Sequence, residues 1–136
     1  MKAKDFKLRV VNEIGEGKFK IKEFKPYMNY ESFIGCILGE AEILRPTGFK
    51  DKNGKDIFEG DIVSYIDSQD CSTESGYDFY EYINYGEVYW CEISGAFDIT
   101  NRNNIDFEDR FYAFDIEILG NKYENPTLLK ELLKRI

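Results

Sequence analysis

Apolar and polar residues alternate along most of this chain with a period near two, and that pattern predicts strands. Residues 6–11 and 19–24 read as two strands, with Phe19 and Ile21 alternating with Lys18, Lys20 and Lys22. Gly15-Glu16-Gly17 lies between them, so the pair reads as an N-terminal hairpin with its lysine face towards water, closed by Lys25-Pro26. Residues 41–44 read as a short strand stopped by Arg45-Pro46-Thr47-Gly48. Ile57 and Phe58 give a short apolar element, and residues 62–66 a clear strand. Val88 and Trp90 alternate with Glu87 and Tyr89 in a strand over 86–92, which Ser94-Gly95 turns into 96–100. Residues 111–118 form a long strand, firmest where Phe114, Ile116 and Ile118 alternate with Asp115 and Glu117.

Four stretches break the pattern. Tyr30, Phe33, Ile34, Ile37 and Leu38 have helical spacing, yet residues 32–38 also fit a buried strand; a strand or irregular course is preferred for 29–38. The polar runs 67–76 and 101–110 read as loops. At the end of the chain Leu128, Leu129, Leu132 and Leu133 make one apolar helical stripe. Asn125 suits its N-cap, Pro126 its first position, and Lys130, Lys134 and Arg135 its later turns.

Turn chemistry is densest at 47–63. Asp51, Asn53 and Gly54 favour a tight hairpin turn, and Gly60 within Glu59-Gly60-Asp61 can take positive φ. The expected architecture is mostly β. It is a small, strongly bent antiparallel sheet or SH3-like barrel, with an N-terminal hairpin and one C-terminal helix covering an open end. One domain spans 1–136, with hairpin and connector over 1–40, core over 41–121 and helix over 122–136. The expected core is Leu8, Val10, Phe19, Ile21, Ile57, Ile62, Val88, Trp90, Phe97, Phe114, Ile116, Ile118, Leu129 and Leu132.

Composition narrows the chemistry. A chain of 136 residues with 43% hydrophobic content buries enough surface to fold without a disulfide or metal. Cys36, Cys71 and Cys91 have neither the number nor the spacing of a disulfide framework or zinc site. No apolar run has the length of a membrane span, and the N-terminus lacks a signal-peptide core, so the expected location is the cytoplasm. Histidine is absent, which excludes Ser-His-Asp, Cys-His and HExxH chemistry.

The net charge of −8 speaks against binding nucleic acid through its phosphates. Its distribution says more. Residues 1–55 carry +4, residues 56–121 carry −14 and residues 122–136 carry +2.

The segment from Thr47 to Val63 (TGFKDKNGKDIFEGDIV) resembles the signature of the YopX family of phage and prophage proteins. Gly86-Glu87-Val88-Tyr89-Trp90 and Gly95-Ala96-Phe97 are similar to that family's next strand and hairpin. The ending Gly120-Asn121-Lys122-Tyr123-Glu124-Asn125-Pro126 supports the resemblance independently. The resemblance implies a phage or prophage origin in a bacterial host and a small mostly-β fold. It supplies no reaction and no catalytic residues. The insert 67–85 is longer and more aromatic than the family pattern.

Four constellations compete with plainer readings. Residues 51–56 lack the spacing of a calcium loop, since the glycine falls fourth and two lysines intrude, so a structural turn is expected. Glu59 and Asp61 could pair for acid–base work, but a turn feeding a strand, with Asp61 bonding local amides, is preferred. Asp106, Glu108 and Asp109 read as a solvated cluster rather than a magnesium site. The stretch 67–85 carries the candidate interaction surface: Asp67, Asp70, Tyr77, Asp78, Tyr80, Glu81, Tyr82 and Tyr85. Tyrosines edged by acids suit protein recognition, against a solvated loop followed by an ordinary strand.

The expected function is therefore a non-enzymatic accessory protein that binds another protein, with no metal, cofactor, nucleic-acid or membrane role. Self-association into a homo-oligomer through its positive ends and negative middle is the alternative, and a carboxylate- or metal-dependent enzyme using Asp61 comes third.

Overall fold

The computed structural model describes residues 7–24, 42–71, 74–76, 78–103 and 115–134, and all structural statements concern these. The described chain is mostly β, in three antiparallel sheets followed by one short helix. Strands β1 (Leu8–Gly15) and β2 (Lys18–Phe24) form the expected hairpin, and β3 (Ile43–Leu44) adds to β1. Lys18, Lys20 and Lys22 face solvent. Strands β4 (Pro46–Lys50) and β5 (Asp56–Phe58) form a second, two-stranded sheet. The third has the order β8-β7-β6-β9, from β6 (Asp61–Asp70), β7 (Phe79–Cys91), β8 (Ala96–Ile99) and β9 (Glu117–Asn121). Helix α1 spans Leu128–Leu133.

The segment 47–63 folds around two carboxylates. Asp51 Oδ1 accepts from the amides of Asn53 and Lys55, each at 2.9 Å, and Oδ2 accepts from Ile118 N at 3.1 Å. One carboxylate thus closes the Asn53-Gly54 turn and ties it to β9. Gly60 takes φ 83°; its amide donates to Val88 O at 2.8 Å, and its carbonyl accepts from Lys122 N at 2.8 Å. Only a residue free to adopt positive φ can lead the chain from that turn into β6.

The hydrophobic core gathers Ile57, Val63, Tyr65, Val88, Ile99 and Ile116, with Ile118 packed against it. Phe58, Val10, Leu8, Leu44 and Ile62 are also buried. The period-two reading places Leu8, Val10, Ile57, Ile62, Val88 and Ile116 correctly. It misses Val63, Tyr65 and Ile99, whose strands bury more of their length than a half-exposed sheet would.

Several expectations need correction. Phe19 is exposed, because the hairpin beyond Asn12 stands clear of the core; its ring meets Tyr123 edge-on at 6.1 Å. Ile21, Trp90, Phe97, Leu129 and Leu132 are only half-buried. Pro46–Lys50 is a strand rather than a stop, since Pro46 and Lys50 pair with Phe58 and Asp56 across an irregular register. Residues 67–70 are not loop: they continue β6, pairing Asp67 with Tyr82 and Asp70 with Phe79. β7 starts at Phe79, well before Gly86. The last strand begins at Glu117 and runs to Asn121, with Asp115 in a turn.

The helix begins later than expected, with Thr127 at its N-cap. Asn125 instead turns back, its Oδ1 accepting from Asn121 N at 3.2 Å. Asn121 Oδ1 in turn accepts from the amides of Tyr123 and Glu124 at 3.0 and 2.8 Å. This local knot competes with helix for the same residues. The expectations for residues 29–38, Cys36, Tyr77, Asp106, Glu108, Asp109 and Phe114 lie outside the described residues.

Candidate functional site

Strands β6 and β7 stay in unbroken register from Ile62–Glu87 out to Asp70–Phe79. Opposed residues share a face in an antiparallel pair. One face therefore carries Ser64–Tyr85, Ile66–Ile83 and Ser68–Glu81, and the other Val63–Gly86, Tyr65–Asn84, Asp67–Tyr82 and Gln69–Tyr80. The inner halves pack into the core, while the outer halves form an arm that is two-stranded among the described residues.

The face that carries Ile66 and Ile83 is acidic and apolar together, while Tyr80 stands on the opposite face with Gln69. Asp70, Asp78, Glu81 and Tyr80 are exposed. Ile66 and Ile83, paired across the strands, are 37% and 56% exposed, so they form an apolar step beside the acids. Tyr80 donates to Gln69 Oε1 and lies 5.8 Å from the Tyr82 ring. That contact holds the Tyr80 ring on the arm with little conformational freedom left to lose on binding.

Asp67 does something else. It is buried, and it is the centre of a polar knot. Its Oδ2 accepts from Asn103 N at 2.7 Å, from Asn84 Nδ2 at 3.1 Å and, at a long 3.5 Å, from the Tyr82 hydroxyl. Asn84 Nδ2 also donates to Asn101 O, and Asn103 Nδ2 to Ser68 O. The Tyr65 hydroxyl donates to Thr100 O at 3.0 Å. Burial first, and the nearby Asp67 charge second, push the Tyr65 hydroxyl well above the ordinary tyrosine range; the same two causes raise Tyr82. Both stay neutral donors. The knot pins residues 100–103 onto the base of the arm and makes the arm a rigid extension of the core.

Of the eight candidate surface residues, then, Asp70, Asp78, Tyr80 and Glu81 are exposed, with Asp70 and Glu81 on the face of Ile66 and Ile83 and Tyr80 on the opposite one. Tyr82 and Tyr85 are half-buried and Asp67 is inside. The sequence reading missed Asn84 and Asn103 as anchors, and Ile66 and Ile83 as surface. An alternating Ile83-Asn84-Tyr85-Gly86 does signal a strand, but its outward face is the apolar one.

Glu59 and Asp61 are engaged structurally. Glu59 takes Arg45 in a fork, at 2.6 and 3.1 Å, and Arg45 lies over the Trp90 ring at 4.9 Å. Asp61 is 1% exposed; Oδ2 accepts from Phe58 N and Oδ1 from Arg9 Nη1, both at 2.9 Å. Arg9 stacks 4.1 Å over the Phe58 ring, so this pair joins the N-terminal hairpin to the turn before β6. Burial dominates over those donors and lifts the Asp61 carboxyl to about 6. Glu59 and Asp61 point to different partners and do not form a dyad. Among the described residues no three acidic or thiol side chains converge as metal ligands.

A groove opens where α1 crosses the base of the arm. It encloses about 550 Å³, with Ile62, Leu129 and Leu133 among its apolar lining. Lys122, Lys130 and Lys134 stand around it with Glu87, and Lys122 reaches Glu87 at 3.6 Å. No residue of α1 is fully buried, so Leu129 and Leu133 remain half-open to this groove.

A family model described as YopX protein matches residues 7–130, nearly the whole chain. The chain belongs to the YopX family. No curated protein matches it. A solved structure, the crystal structure of protein EF1440 from Enterococcus faecalis, is 25% identical, covering 89% of this chain and 74% of that one at a TM-score of 0.45. In this YopX-family chain the signature segment holds Asp51 and Asp61 as structural anchors, and the ending holds the Asn121–Asn125 knot. No described helix is long and apolar enough to cross a membrane.

Proposed function

We propose that this chain is a phage or prophage accessory protein that works in the cytoplasm of a bacterial host by binding another protein, without catalysis. The β6–β7 arm is the recognition element. The observation that carries the reading is the exposed face that joins Ile66 and Ile83 to Glu81 and Asp70 on a braced arm, with Tyr80 exposed on the opposite face. Aromatic and aliphatic anchors supply affinity at an interface, and charge supplies selection and rate. The acids favour a partner with a basic surface and repel nucleic-acid phosphate.

Capture from host lysate on immobilised protein tests this. A specific partner is expected at low salt, released progressively as ionic strength rises and the acidic contribution is screened. Failure to retain any partner at low salt would sink the reading.

A further inference from the structure

Helix α1 reaches the sheet through its first turn. Gly120 of β9 has no side chain, and a Cβ there would lie 2.8 Å from Leu128 Cδ2 and 2.5 Å from Asn125 Oδ1. Leu128 therefore seats against bare backbone. Leu129 and Leu133 are left half-buried beside it, lining the groove together with the buried Ile62.

Leu129 and Leu133 stand four residues apart, and so do Lys130 and Lys134. Residues at that spacing are neighbours on one helix face, about 6 Å apart along the axis. The groove wall thus carries an apolar row with a basic row beside it. Glu87, the one carboxylate of the lining among the described residues, is taken by Lys122 at 3.6 Å. Lys130 and Lys134 are exposed and form no ion pair among the described residues. On a chain of net charge −8 this is a local basic spot around an apolar cleft. The cleft volume of about 550 Å³ lies in the ~300–1,000 Å³ range of binding sites.

Two such rows are the complement of a second helix. Helix-in-groove recognition sets apolar anchors, spaced like i and i+4, into a cleft, and charged residues along its rim. The α1 of a second copy does not supply that helix. Laid antiparallel about a two-fold axis, it would set one lysine row against the other, and like charges facing each other reject a partner. The fitting helix carries acids beside its apolar anchors.

We propose that the groove beside α1 docks an acidic amphipathic helix of a partner protein, its apolar anchors against Ile62, Leu129 and Leu133 and its carboxylates against Lys130 and Lys134. This site is separate from the arm and selects the opposite charge, so it stands or falls without the arm's role.

Fluorescence anisotropy with designed peptides tests it. The probe is a labelled peptide of about 16 residues built from alanine, leucine and glutamate, long enough to hold a helix. Its leucines sit at i, i+4 and i+7, with glutamates beside them. One control scrambles the leucine positions at the same composition, and another replaces every glutamate by lysine. At 0.1 M salt the protein should bind the probe about tenfold or more tighter than either control, and about threefold or more weaker at 0.5 M salt. Lys130→Glu with Lys134→Glu should weaken probe binding about tenfold, and so should Leu133→Ser. Lys20→Glu with Lys22→Glu makes the same change in net charge on the N-terminal hairpin and should leave binding unaltered. The four lysines are exposed, and unchanged melting curves would show these variants folded. No binding of the probe, equal binding of a control peptide, or undiminished binding by the folded groove variants would each overturn the proposal.

Discussion

At the scale of single residues, buried carboxylates organise this protein. Asp51 illustrates how one oxygen pair replaces many contacts. Desolvation pushes its carboxyl up, but hydrogen bonds from the Lys55, Ile118 and Asn53 amides outweigh it, and the carboxyl settles below its usual range. Asp51→Ala should cost about 2–4 kcal/mol in chemical denaturation, since the Ile118 amide loses its acceptor in a partly buried place. Asp61 titrates in the opposite sense. Its folded value of about 6 exceeds the ordinary carboxylate value of 3.8, so the folded state takes up its proton first. That contribution is complete below pH about 4 and is lost as pH rises through about 6. Between those limits acidification should add up to about 3 kcal/mol from this group. Asp51 and Glu59, both lowered, work the other way, and their stabilisation is lost only as pH falls below the ordinary carboxylate range. Urea midpoints taken from pH 7 to pH 4.5 should therefore rise more in wild type than in Asp61→Asn. Equal slopes would show that Asp61 does not titrate in this window. The local role of Asp51 is legible in the sequence, because Asp-x-Asn-Gly is turn chemistry within a few residues. The link from Asp61 to Arg9 is not, because it spans 52 positions and no local pattern encodes it.

At the scale of elements, the arm is the largest departure from the sequence reading. Residues 67–70 read as loop because they carry almost no apolar residues. They are strand because β7 supplies the pairing and Asp67 supplies the anchor, both non-local. Hydrogen exchange decides between the two descriptions: backbone amides in the outer halves of β6 and β7 should be protected well beyond loop rates, by about two orders of magnitude or more. The helix errs in the other direction. Its leucine stripe was legible, but its burial depends on what packs over it, and α1 covers its side of the sheet only partly. Leu129→Ala should accordingly cost only about 1 kcal/mol, against about 3–4 kcal/mol for Ile57→Ala in the core, measured by thermal or urea unfolding. Gly86 shows how closely β7 packs against the end of β8. A Cβ there would collide with the Thr100 carbonyl oxygen and lie 2.6 Å from Ile99 Cγ2.

At the scale of the whole molecule, the uneven charge of the sequence becomes a spatial layout. Exposed lysines of β2 line one hairpin, acids line the β6–β7 arm, and the lysines of α1 flank the groove at the arm's base. The mostly-β class and the family were both readable from periodicity and from the 47–63 segment. Which of the tyrosines and acids share an exposed face was not, since a strand assignment shifted by one residue exchanges inside for outside. The recognition role assigned to the arm is tested most directly by quantitative lysate capture with three proteins side by side. These are wild type, the arm variant Asp78→Lys with Glu81→Lys, and a control reversed on the N-terminal hairpin, Lys20→Glu with Lys22→Glu. Wild type and control should retain the same partner to the same extent at low salt, and the arm variant should retain at most about a tenth as much. Equal retention by all three would contradict the account.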